Sequence, residues 1–98
     1  MTNWKNESTD RLCQALLQLK TEEECYAFLE DICTIKETQS IAQRLSVAEL
    51  LMQKESYADI GQKTGASSAT ICRVNRCLAY GAGGYQTVLS RLGVEKHD

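Results

Sequence analysis

The sequence predicts a single all-α domain of 98 residues, and three observations carry that expectation. No segment alternates apolar and polar residues with the period of two that a half-buried strand needs. Apolar residues recur instead at spacings of three and four, behind residues that cap helices. Proline is absent and 43% of residues are hydrophobic, a composition that suits compact helices and not a disordered tail. A chain this short sits near the low end of what buries a core unaided, so a core shared between chains is expected from the outset.

The first helix lies in "STDRLCQALLQL", with Ser8 or Thr9 as its N-cap and Leu12, Leu16 and Leu19 on one face. In "TEEECYAFLEDI", Thr21 and Glu24 fit a capping box, and three glutamates in the first turn complement the helix dipole. That acidic run reads as a helix start and not as a binding tail; Phe28, Leu29 and Ile32 supply the apolar stripe. Thr34 and Glu37 repeat the capping box and open one long amphipathic helix over residues 35–53. Its stripe is Ile41, Leu45, Ala48 and Met52, widened by Leu50 and Leu51 towards burial against several partners. Arg44 lies beside this face, either as a solvated or glutamate-paired arginine or as a binding group.

Residues 56–78 carry the most informative spacing. In "SYADIGQKTGASSATICRVNRC", Ser56 caps a helix running to about Thr64, and Gly65 turns the chain in a left-handed conformation. Ser67 or Ser68 then caps a second helix. Gly61 stands four residues before Gly65, where crossing helices would leave no space for a larger side chain. Ile60, Ile71 and Val74 supply the apolar contacts between the two helices. A small residue, a glycine four later, and aliphatics six and nine after that glycine form the helix-turn-helix layout. Beyond it, Gly81, Gly83 and Gly84 break the helix, and Tyr85 to Leu92 form a short final one closed by Gly93, within a C-terminal stretch 81–98.

Such a motif lays the N-terminal residues of its second helix against base edges in the major groove of double-stranded DNA. Those residues are Ser67, Ser68, Ala69 and Thr70, all small, able to approach closely and to offer hydroxyls and a methyl. Arg73 and Arg76 follow one and two turns later and suit phosphates. Specificity is then expected to lean on backbone, water and DNA shape. The formal charge of −2 is unevenly spread. Residues 1–50 hold five Lys/Arg against nine Asp/Glu, whereas residues 51–80 hold four against two. A basic patch on an acidic body is compatible with DNA and argues against purely electrostatic binding.

Other classes find little support. Five cysteines without a C-x-x-C pair read as small packed hydrophobes, Cys25, Cys33 and Cys72 beside apolar positions, and not as a zinc or redox site. No catalytic set or phosphate-cradling loop is visible, so neither an enzyme nor a cofactor is expected, and His97 is the sole histidine. No run is long and apolar enough for a membrane span and the N-terminus lacks a signal-peptide layout, which predicts a cytoplasmic protein. Two readings stand: a dimeric DNA-binding regulator, and a helical interaction module that keeps the fold but acts through a protein partner.

The stretch "IAQRLSVAELL" followed by "GASSATICRVN", within roughly residues 30–80, resembles the Trp repressor superfamily, especially its YerC/YecD-like branch of small bacterial proteins. That resemblance implies an intertwined all-helical homodimer whose shared core comes from the helices of residues 8–53. With one residue deleted near Gln53–Glu55, Arg44 and Arg73 match the two arginines that stack on the indole in tryptophan-binding members, and Thr34 matches a threonine beside it. A possible effector pocket would therefore involve Thr34, Arg44, Arg73, Val74 and Cys77. Two of these depart from the pattern. Cys77 replaces a serine that holds the ligand's amino group, and Val74 replaces a glycine, so free tryptophan is not the expected effector. Ala58 stands where the first motif helix carries a guanine-reading arginine, which implies a different operator.

Overall fold

A computed structural model describes residues 3–95, and its six helices leave no strand among them. They are α1 (Glu7–Leu16), α2 (Glu22–Ile32), α3 (Ile35–Met52), α4 (Tyr57–Thr64), α5 (Ser68–Tyr80) and α6 (Gly84–Arg91). His97 lies outside the described residues. The chain divides into two compact units, one up to Lys36 and one from Glu37 onward.

In the first unit the cap of α1 is Asn6, not Ser8 or Thr9. The Asn6 side chain accepts the Thr9 N–H at 3.0 Å, and Thr9 Oγ1 accepts the Asn6 N–H at 2.7 Å. This reciprocal pair places threonine at the third helical position and starts the helix earlier than expected. Thr21 caps α2 as anticipated, accepting the Glu24 N–H at 3.1 Å. Glu24, however, reaches past Thr21 and accepts the Lys20 N–H at 2.8 Å. No residue of α1 or α2 is buried, and Leu16 and Ile32 remain 47% and 52% exposed.

The second unit holds the core. Val47, Ala48 and Met52 of α3 meet Ile60 of α4, Ala66 of the turn, Ile71 and Val74 of α5, and Leu89 of α6. The stripe on α3 is rotated from the expected one. Val47 is fully buried, Leu45 is half-buried and Ile41 is 47% exposed. With six apolar residues among positions 45–52, the spacing admits several faces, and packing against the later helices selects the one centred on Val47 and Ala48. Two further helix ends are stitched by side chains or backbone. Gln86 Nε2 donates to the Leu78 carbonyl of α5 at 2.7 Å, and Val94 N–H donates back to Leu89 at 2.9 Å past Gly93.

Cys72 corrects the expectation for the thiols. It is exposed, as are Cys13 and Cys77, while Cys25 and Cys33 are half-buried, and all five are free. Ile71 and Val74 already occupy the core face of α5, which turns Cys72 outward.

Between α3 and α4 the chain turns through Lys54, whose φ of 63° is left-handed. Lys54 N–H donates to the Leu51 carbonyl at 3.0 Å and Glu55 N–H to the Leu50 carbonyl at 3.1 Å. This is the Schellman arrangement that favours glycine, because a Cβ in that conformation costs about 1–2 kcal/mol. Lys54→Gly is therefore expected to stabilise the protein by about 0.5–1 kcal/mol, the remainder being lost to the greater freedom of glycine in the unfolded chain. Urea denaturation with an unchanged slope and a higher midpoint checks it.

Candidate nucleic-acid interface

The motif builds itself from local signals. Ser56 Oγ accepts the Asp59 N–H at 3.1 Å and starts α4. Gly65 ends it with φ 74°, donating its N–H to the Gly61 carbonyl at 2.8 Å. Ser67 Oγ accepts the Thr70 N–H at 3.2 Å and starts α5 two residues after that glycine. Gly61 is less constrained than its spacing suggests. A Cβ there would sit 3.5 Å from the Ala66 carbonyl and 3.9 Å from Ile71 Cδ1, so alanine fits without a shift.

Ile60, Ile71 and Val74 are each at most 1% exposed and clamp the two helices together. Burying them fixes which residues of α5 face outward. Ala69, Cys72, Arg73, Arg76 and Tyr80 are all exposed, and the 3.6-residue repeat puts them opposite Ile71 and Val74. Ser67 and Ser68 are exposed at the tip. Thr70 is half-buried at the flank, its hydroxyl 3.1 Å from Ser67 Oγ. Tyr80 was not singled out in the sequence and Cys72 was read there as a packed thiol; only the burial of the opposite face brings them to this one.

Charge follows the same division. Lys63 Nζ bonds Glu55 Oε1 at 2.6 Å, and that hydrogen bond, then the attraction of the carboxylate, holds the ammonium above the ordinary lysine value. Arg73 and Arg76 have no carboxylate partner among the described residues. The first turn of α5 carries no acid, so its free N–H groups keep the positive end of the helix dipole open to an anion.

Of the residues assigned to an effector pocket, Arg44 and Cys77 line one cleft of about 560 Å³ between α3, the Gly81–Gly84 segment and α6, with Tyr85 and Val88 on its wall. Arg73 points to the outward face of α5, and Val74 lies in the core. Thr34 is exposed in the first unit, directly before α3. Gln43, which sequence reasoning did not select, donates from α3 to the Thr64 carbonyl in the motif's turn at 3.1 Å. Among the described residues, no cluster of three or more His, Cys, Asp or Glu is placed to hold a metal. No described helix is long and apolar enough to cross a membrane.

Six helices with α4 and α5 crossing at a left-handed glycine define an all-α protein of the helix-turn-helix class. The Trp repressor protein family matches residues 7–93, and the chain belongs to that family. Over 88 residues it is 49% identical to the uncharacterized protein YerC of Bacillus subtilis (strain 168), covering 90% of this chain and 85% of that one. A crystal structure of a candidate Trp repressor from Staphylococcus aureus superposes with a TM-score of 0.91 at 44% identity, covering 95% of this chain and 93% of that one. A TrpR-like protein from Eubacterium eligens ATCC 27750 superposes with a TM-score of 0.90 at 49% identity, covering 95% and 96%. The family is one of regulators, not enzymes, and membership points to a DNA-binding regulator.

Proposed function

We propose that the chain is a homodimeric, sequence-specific regulator of transcription that binds double-stranded DNA through α5 and acts as a repressor. The observation that carries this reading is the outward face of α5: small residues at its tip, Arg73 and Arg76 behind them, and no acid in its first turn. Phosphates meet the two arginines, and Ser67, Ser68, Ala69 and Thr70 meet the bases.

Dimerisation is supported by what a single chain leaves open. Leu12, Leu16, Leu17, Tyr26, Ile32 and Ile35 are all between 41% and 81% exposed. An apolar surface on that scale needs a partner, and a second copy with the same stripes supplies one. Sedimentation at micromolar concentration is expected to give twice the 10.9 kDa chain mass with no folded monomer. The same species is expected to shift duplex DNA with an affinity that falls steeply with salt, by a slope of about −0.9 for each phosphate neutralised. A dimer that shifts no DNA at low salt would instead favour an interaction module acting through a protein partner.

A further inference from the structure

Three hydrogen bonds converge on Thr64, the last residue of α4. Its hydroxyl donates to the Ile60 carbonyl at 2.7 Å and accepts the Ala66 N–H at 3.1 Å. Its carbonyl accepts the side-chain amide of Gln43 at 3.1 Å. The first two lie within the helix-turn-helix; the third comes from α3, twenty-one residues earlier, and is partly buried.

That third bond has a different character from the rest of the seam between α3 and the motif. The buried part of the seam is apolar, built from Val47, Ala48 and Met52 against Ile60, Ile71 and Val74. Apolar burial is non-directional and holds two helices together without fixing their rotation closely. A hydrogen bond near 3 Å weakens steeply as its angle departs from linear, so it adds the missing direction. The carbonyl it satisfies is one of the four at the end of α4 that have no acceptor role inside the helix. Ser67, the cap of α5, comes only three residues later. Any displacement of Thr64 therefore passes through Gly65 and Ala66 straight to the tip of the reading helix.

We propose that Gln43 is a positioning residue of the DNA-binding site, its amide latching the turn to α3 and so holding α5 in its binding pose. Its effect on DNA rests on the function proposed above; its hold on the turn does not. Two substitutions separate the cases. Gln43→Met keeps length and neutrality but has no donor, whereas Gln43→Lys restores a donor at similar reach. In the free protein, amide exchange at Gly65 and Ala66 is expected to rise about five- to tenfold in Gln43→Met and to return towards the parent in Gln43→Lys. The Val47 and Leu89 amides stay unchanged; a general loosening of the core would move them too. On duplex DNA, Gln43→Met is expected to bind about two- to tenfold more weakly with an unchanged salt slope, because no phosphate contact is removed. Parental protection at Gly65 and Ala66 in Gln43→Met overturns the latch. Lost protection with parental affinity overturns the positioning role. A parent that binds no duplex at all overturns the proposed function and that role together, while the exchange data still decide whether the latch exists.

Discussion

Arg73→Ala combined with Arg76→Ala is expected to weaken binding to every duplex by on the order of a hundredfold or more and to flatten its salt dependence. The two guanidiniums are exposed on the face of α5 opposite the core and have no carboxylate partner among the described residues. Removing them therefore changes the field towards DNA without disturbing packing. In a dimer the double substitution removes four cations. Each one that neutralises a phosphate contributes about −0.9 to the slope of log affinity against log salt, so a loss of about 3 to 4 in that slope is the expected signature. Because phosphates carry no sequence, the loss is the same on a selected site and on random DNA.

Thr70→Ala in the same titrations is expected to behave oppositely, leaving the slope unchanged and altering the order of preference among sequences. Its hydroxyl flanks the tip, 3.1 Å from Ser67 Oγ. Parental affinity and slope in the double arginine variant would remove α5 from the interface altogether. Lys63 would not rescue the field, since its ammonium is already engaged by Glu55.

The parts of this interface that were legible in the sequence are those fixed within a few residues of one another. Ser56, Gly65 and Ser67 punctuate α4 and α5 as read, because caps and left-handed turns are decided by local backbone needs. Ile60, Ile71 and Val74 were legible as the clamp because their spacing admits one packing. Where several residues satisfied the same local rule, the sequence alone misassigned them. Asn6, Ser8 and Thr9 all cap helices well, and the reciprocal Asn6–Thr9 pair decided between them. Val47 was hidden for a similar reason, in a helix apolar on too many sides. The Gln43–Thr64 bond had no sequence signal at all, since nothing periodic links residues twenty-one apart. Lys54 in a left-handed turn runs against propensity, and only the two Schellman bonds around it explain how it is held.

Val74→Gly is expected to destabilise the protein by about 3–4 kcal/mol. The side chain is 1% exposed among Ile60, Ile71 and Val47. Removing it forfeits about 1.5–3 kcal/mol of burial, leaves a cavity, and places glycine in the interior of α5 at about 1 kcal/mol. Val74→Ala keeps the backbone preference and should cost roughly half as much. This position also separates the chain from the tryptophan-binding members it resembles, where glycine leaves room for an indole. On that match the Val74 isopropyl group would occupy the indole's volume, and forcing more atoms into a filled site typically costs about 1–3 kcal/mol. On the same match Cys77 would add to the mismatch, because a thiol bonds an ammonium group more weakly than a serine hydroxyl. The pose of α5 then needs no ligand, and calorimetry with millimolar tryptophan should show no binding heat and no change in DNA affinity. Val74→Gly, or Val74→Ala if glycine unfolds the chain, opens the site and should gain a measurable response to tryptophan. Sequence-specific DNA binding by the parent that appears only when tryptophan is added would show that Val74 yields to a ligand after all.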